Sequence, residues 1–412
     1  VVLAIGGAYA LASGNWCGEW KEAPPVLVGS AVAEGTLRAG AAVVELVPPY
    51  PVVMAGYGPP RAEARGASLP LQARALVLEI DRVRVGLVEL DALTAPDSVV
   101  QQIRRGAEDL HLGALWVAAS HTHSGFGGYD PRLVSELAGT GRYSQAARDA
   151  LVAGAVQALR RAAAELQPAS IETGEGAAPE LVRSRDPGQA AEGRLSRVVI
   201  RSQGGVLAEV RIAAAHPTLV PRGARALDPD YPGRLSADGG VTVVLQSEVG
   251  NASAMGSSPQ EFALALGRAF DALTIAPVAP NRLGFAQVTA SLPRPDSSRL
   301  GVWFARAAGD NLLCGSASHT AEVDALQLGP LLWVSVPGEP TSGAAREIQA
   351  ASGANRVLAL TNGYLGYVDD PDRVKAGQGE SRRQYFGPTL SPVLARAAAA
   401  ATQPLRAAGS AP

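Results

Sequence analysis

Residues 73–80 and 83–91 are two apolar, β-branched runs separated only by Asp81 and Arg82. A two-residue connection between strand-length runs admits an antiparallel hairpin, whereas parallel neighbours need a crossover of about a dozen residues. Downstream, residues 97–110 read as a helix, and 114–119 are a wholly apolar strand that runs into HTHSGFGGY. Apolar Val152, Val156, Leu159, Ala163 and Leu166 repeat at helical spacing, so a helix is expected over 144–167, closed by Pro168. Strands follow at 197–201, 206–214 and 241–245. A helix then starts at Ser258, with Pro259 at its first position and Glu261 completing a capping box. Further strands are expected near 326–336 and at 356–360, with helices from Thr341 and from Leu390. Interleaved helices with short strand-to-strand turns give an α/β fold, in preference to α+β, with mixed β-sheets flanked by helices and a site at the strand ends.

The 412 residues are 47% hydrophobic and 18% charged, which supports a large core and excludes a disordered chain. A net charge of -2 provides no basic field for phosphates, so a nucleic-acid partner is not expected. Cys17 and Cys314 can form one disulfide in an oxidising compartment or stay as two thiols, and they are too few for a cysteine zinc site. Residues 1–12 are apolar, no charge precedes Glu19, and Trp16 and Trp20 follow. This reads as a leader or anchor ending at a membrane interface, so export is expected. Residues 22–28 read as a Pro-containing linker. The expected division is residues 1–35 as leader or anchor plus linker, and 36–412 as one folded catalytic domain.

Three of the five histidines stand at strand ends. His121 and His123 are two apart, so on an extended backbone both face one side, where they suit a metal or a reacting group. A pair of polar residues at a strand exit is the plainer alternative. The glycines after them, Gly127 and Gly128 included, let the backbone turn sharply and leave room for a ligand. His216 ends the run VRIAAAHP, and Glu339 ends VSVPGE before a helix. Read singly, these are an edge histidine and a helix-dipole partner. Together, imidazoles plus one carboxylate are what a zinc ion with an open water position requires. There is no GxSxG elbow, HExxH helix or GxGxxG turn.

With these residues in view, the chain resembles the catalytic N-terminal domain of the neutral/alkaline non-lysosomal ceramidases, zinc amidases that cleave the N-acyl bond of ceramide. The resemblance rests on AGYGPPR (55–61), SHTHSGFGGY (120–129), VRSRDP (182–187), AAAHPTLV (213–220), LQSEVGNASA (245–254), VPGEPTSGAAREI (336–348), NGYLGYV (362–368) and GESRRQYFGP (379–388). It implies a Zn2+ held by His121, His216, Glu339 and Tyr367, the last preferred over Tyr364. It also implies that His123 and Arg183 bracket the scissile amide, with Ser253 in the pocket and Asp91 supporting a histidine ligand from behind. The implied partner is a lipid or other N-acyl substrate at a membrane surface. The sequence departs from the family pattern in four ways. Gly379 stands where the family has a tyrosine, Pro217-Thr218-Leu219 follow His216, Phe126 replaces a proline, and the family's β-sandwich domain has no counterpart after the helix at Leu390. These departures keep open a different amide or ester substrate, or a non-catalytic lipid-binding relative.

Overall fold

The computed structural model describes residues 7, 19–58, 62–186, 188–236, 239–279, 281–296, 309–311, 313–314 and 317–407. Leu71–Ile80 and Val83–Leu90 form the expected antiparallel hairpin, turned by Asp81 at φ +50°. A short carboxylate tolerates this left-handed backbone better than most side chains. Helix Asp97–Gly106 then carries the chain over to Ala114–Ala119, which pairs parallel with Val83–Leu90. The first sheet has the order Ala114–Ala119, Val83–Leu90, Leu71–Ile80, Arg38–Leu46, Gln167–Pro168.

Two more five-stranded sheets repeat this plan. The second runs Val241–Gln246, Gly205–Ala213, Arg194–Ser202, Ser170–Ala177, Ala276–Val278. The third runs Val26–Glu34, Arg282–Ser291, Thr320–Leu328, Leu331–Ser335, Arg356–Leu358. In every sheet one edge pair is parallel and the remaining pairs are antiparallel. The inner faces meet in one core, where Leu78 and Trp116 of the first sheet join Val198 and Val243 of the second and Leu326 and Trp333 of the third. Each outer face is covered by helix. Gln145–Ala164 packs Leu151 and Leu159 on the first sheet, and Pro259–Asp271 packs Phe262 and Phe270 on the second. Ser342–Ser352 and Leu390–Ala407 cover the third. Ala114–Ala119 is buried along its whole length, which is why it lacks polar alternation.

The helix starts follow their caps. Ser144, Ser258 and Thr341 accept from the backbone N–H of Ala147, Glu261 and Ala344 at 3.4, 3.2 and 3.4 Å. The capping box at Ser258 closes only halfway, because the Glu261 carboxylate takes the Ser257 hydroxyl instead. The 144–167 helix stops at Ala164, since Gln167 and Pro168 pair with Ala39 and Arg38. The 326–336 region is a hairpin of two strands turned at Gly329, φ +55°.

The linker reading needs correction. Val26–Glu34 lies inside the expected 1–35 segment, yet it is a full strand paired with Arg282–Ser291. Trp20, read as a membrane-interface residue, donates from Nε1 to the Leu292 carbonyl at 2.7 Å and stacks on His319 at 3.9 Å. Cys314 is disulfide-bonded. Trp16, Cys17 and the apolar opening apart from Gly7 lie outside the described residues. Among the described residues no helix is long and apolar enough to cross a membrane.

Candidate active site

Each sheet sends one strand of its parallel pair toward a common point. His121 follows Ala114–Ala119, His216 follows Gly205–Ala213, and Glu339 follows Leu331–Ser335. The C-terminal ends of parallel strands are where open sheets leave room for ligands. His121 holds φ +70°, a costly conformation for a non-glycine residue, and its N–H is fixed to the Ala92 carbonyl at 3.0 Å. Its Nδ1 lies 2.8 Å from the Leu93 carbonyl, and the Nδ1 of His216 lies 2.8 Å from the Val249 carbonyl. A carbonyl only accepts, so both Nδ1 atoms carry the proton and both Nε2 lone pairs face outward.

Those lone pairs face each other. The two Nε2 atoms are 3.2 Å apart, and Glu339 Oε2 lies 3.2 Å from His121 Nε2 and 3.1 Å from His216 Nε2. Three buried acceptors aimed at one centre repel unless a cation lies among them. Tetrahedral ligands at 2.0–2.1 Å from a zinc ion are separated by about 3.3 Å, so the triangle has the edge length such an ion requires. The donor set, two neutral imidazoles and a carboxylate, suits the same ion. The three imidazoles of His121, His123 and His216 also place nitrogens within 4.8 Å of one another. We assign His123 beside the triangle, because His121, His216 and Glu339 make the tighter set.

Tyr367 pairs in register with Glu339 on a short parallel ladder, and its Oη lies 3.3 Å from His216 Nε2. Tyr364 donates to Glu339 Oε1 at 2.5 Å, which leaves Oε2 to face the histidines. The tyrosine loop is tied to the first sheet by Asn362 at φ +61°, whose Oδ1 accepts from Val117 N at 2.8 Å. Burial, together with Arg185 and His121, holds His216 down to about 4, and burial with its neighbouring imidazoles holds His123 well below its ordinary value. Both are therefore neutral near pH 7. Burial and Glu339 push the Tyr367 phenol up.

Four expectations from the sequence need revision. Arg183 is exposed on Val182–Ser184, paired with Ser253, and does not line the cavity. Arg185 takes that place, with Nη2 donating to the Gly250 carbonyl and to Tyr367 Oη at 3.3 Å. This Nη2 is 3.2 Å from His216 Nδ1 and 3.3 Å from Nε2, so it lies off the Nε2 lone-pair axis and leaves that direction free. Asp91 supports no histidine: Arg74 binds both its oxygens at 3.0 Å, and Gln72 N donates to it at 2.9 Å. Gly127 and Gly128 pack the loop and do not line the cavity. A Cβ on Gly127 would stand 2.0 Å from the Thr140 carbonyl, and Gly128 has φ +79°. Gly379, at φ +60°, faces Asp186 and Asp369, while Tyr385 lines the cavity. Ser253 does line it, as expected.

The cavity has a volume of about 660 Å3. Its lining includes Tyr57, Arg222, Arg383 and Tyr385, none of which sequence reading singled out. The signal lay in the AGYGPPR block for Tyr57 and in the GESRRQYFGP block for Arg383 and Tyr385. Gly56, at φ +119°, brings its loop so close to His123 that a Cβ would stand 2.5 Å from the His123 Cα. Tyr57 then lies 5.0 Å from the His123 ring.

Residues 46–187 match the family described as neutral/alkaline non-lysosomal ceramidase, N-terminal. Neutral ceramidase from Pseudomonas aeruginosa has the same fold, with a TM-score of 0.77 at 20% identity, over 90% of this chain and 75% of that one. A ceramidase complexed with C2 matches at a TM-score of 0.75 and 18% identity, over 90% and 76%. No curated protein sequence matches the chain. In sequence over 46–187 and in fold over most of its length, the chain is similar to the neutral/alkaline non-lysosomal ceramidases.

Proposed function

We propose that this protein is a zinc-dependent hydrolase that cleaves the N-acyl amide bond of ceramide or a related N-acyl lipid. The observation that carries this reading is the triangle of His121, His216 and Glu339 opening, with His123 beside it, into the cavity of a ceramidase-like fold. His121, His216, Glu339 and Tyr367 are the residues that would hold the metal. Zinc, when bound at such a set, supplies Lewis acidity and lowers the pKa of water to about 7.

The remaining roles belong to the chain. His123, neutral near pH 7, takes a proton from the attacking water and returns it to the leaving nitrogen. Arg185 donates to the acyl oxygen as negative charge develops there. Leu93, Val134, Leu365 and Phe386 give the cavity the apolar wall that an acyl chain needs. The apolar residues 1–12 support export or anchoring, which would place enzyme and lipid at one surface.

The test is acyl release from a short-chain fluorescent ceramide by the purified chain, with and without a zinc chelator. Chelator-sensitive release supports metal, reaction and substrate class together. Release from simple amides or esters but not from ceramide moves the substrate to another amide or ester. Lipid binding without turnover on any of them identifies a non-catalytic relative.

A further inference from the structure

Among the described residues the cavity is lined by four arginines, Arg132, Arg185, Arg222 and Arg383, against a single carboxylate, Glu339. In a chain of net charge -2 this local excess is not a background property. Three of the four are answered from outside the lining. Arg132 grips Asp130 through Nε and Nη2, and Arg185 and Arg383 share Glu380 at 3.4 and 3.2 Å. Arg222 has no carboxylate partner among the described residues. Its guanidinium lies over the Tyr57 ring at 5.2 Å, and the same ring lies 5.0 Å from the His123 imidazole. One aromatic ring therefore separates an uncompensated cation from the residue that protonates the leaving nitrogen.

The Arg222 segment is held in place. It follows His216, and Asp230 Oδ2 accepts from both Leu219 N and Val220 N at 2.9 Å, while Ala224 N closes a turn on the Pro221 carbonyl at 2.9 Å. These bonds fix the backbone on either side of Arg222, whose exposed guanidinium rests on the Tyr57 ring with its N–H groups free to pair with an oxyanion through two parallel hydrogen bonds. The amine half of a ceramide offers it only hydroxyls.

We infer that the preferred substrate carries an anionic group on the amine side of the scissile amide, a carboxylate, sulfonate or phosphate within reach of Arg222. This deepens the hydrolase reading given above and rests on it. The test uses the full chain loaded with zinc and three dodecanoyl amides of equal acyl length: those of glycine and taurine, which are anionic, and that of ethanolamine, which is neutral. The anionic amides should exceed the neutral one in kcat/KM by about tenfold, mainly through KM, and the ratio should fall as salt rises from about 50 to 500 mM. Arg222→Ala should bring the ratio toward one, and Arg222→Glu should invert it. A ratio near one in the parent, or one that Arg222→Glu leaves unmoved, overturns the inference. If no amide is hydrolysed, the hydrolase reading stands or falls on the ceramide assay above, and calorimetric binding of the same three amides decides the anion site. Preference for the glycine and taurine amides, lost in Arg222→Glu, supports it, and equal binding overturns it.

Discussion

Arg183 and Arg185 are two positions apart, and only the second reaches the cavity. Residues so spaced share a face only while the strand continues. Val182–Ser184 ends between them, and Arg185 N is drawn to the Asn251 carbonyl at 2.8 Å, so the second arginine is re-aimed. Arg185→Ala should therefore lower kcat by about 100-fold, the usual cost of losing an oxyanion donor. Arg183→Ala, on an exposed site, should stay within about twofold. Steady-state kinetics on one ceramide substrate checks both, and the reverse ranking would return the role to Arg183. Histidines at strand ends were legible because a rare residue type stood where buried strands stop. Arg185 was not, because its direction depends on where a three-residue strand ends. Asp91 was misread for a similar reason: a buried carboxylate at a strand end looks alike in sequence whether it faces a histidine or, as here, Arg74.

At the scale of elements, apolar runs and caps were readable, and strands without a sustained apolar or alternating pattern were not. Ser170–Ala177 (SIETGEGA) and Val26–Glu34 (VLVGSAVAE) are strands because neighbours pair with them, not because their own pattern demands it. The histidine loop depends on another segment that the sequence did not mark. Asp228 N donates to the Ser124 carbonyl at 2.9 Å, and Thr122 Oγ1 donates to the Asp228 carbonyl at 2.7 Å. The Asp228 side chain takes Arg234 at 2.5 and 2.8 Å and the Ser68 hydroxyl. Burial raises the Asp228 carboxyl, but Arg234 and Ser68 outweigh it, and the net shift is downward. As pH falls, the unfolded chain takes up this proton first. The stabilisation is thus complete above the unfolded value of about 3.9 and is lost as pH falls through the lower folded value. Asp228→Asn should lower stability by about 2 kcal/mol at pH 7, and the gap should close at acid pH. Thermal unfolding of both proteins from pH 7 to pH 3 measures it, and a gap that does not change with pH would remove Asp228 from the account.

At the scale of the molecule, three sheets share one core and each contributes one corner of the triangle of His121, His216 and Glu339. The unfolded chain cannot assemble that triangle, because His121, His216 and Glu339 lie far apart in sequence and meet only when all three sheets have packed. An ion bound there is linked to the whole fold rather than to one loop. Free zinc at 100 times its dissociation constant should add about 2.7 kcal/mol of stability. For a chain of 412 residues, this corresponds to about 3 °C in Tm. Calorimetry of chelator-treated protein, titrated with zinc, should show that rise as a single transition, because sheets that share one core unfold together. Glu339→Gln removes the charge from one corner while keeping its size, so it should abolish most of the zinc-dependent rise and lower metal content measured by mass spectrometry. Magnesium, which prefers six oxygen ligands, should give little rise in either protein. An equal zinc response in Glu339→Gln would place the ion elsewhere. A rise confined to one of two separate transitions would show that the sheets do not act as a unit.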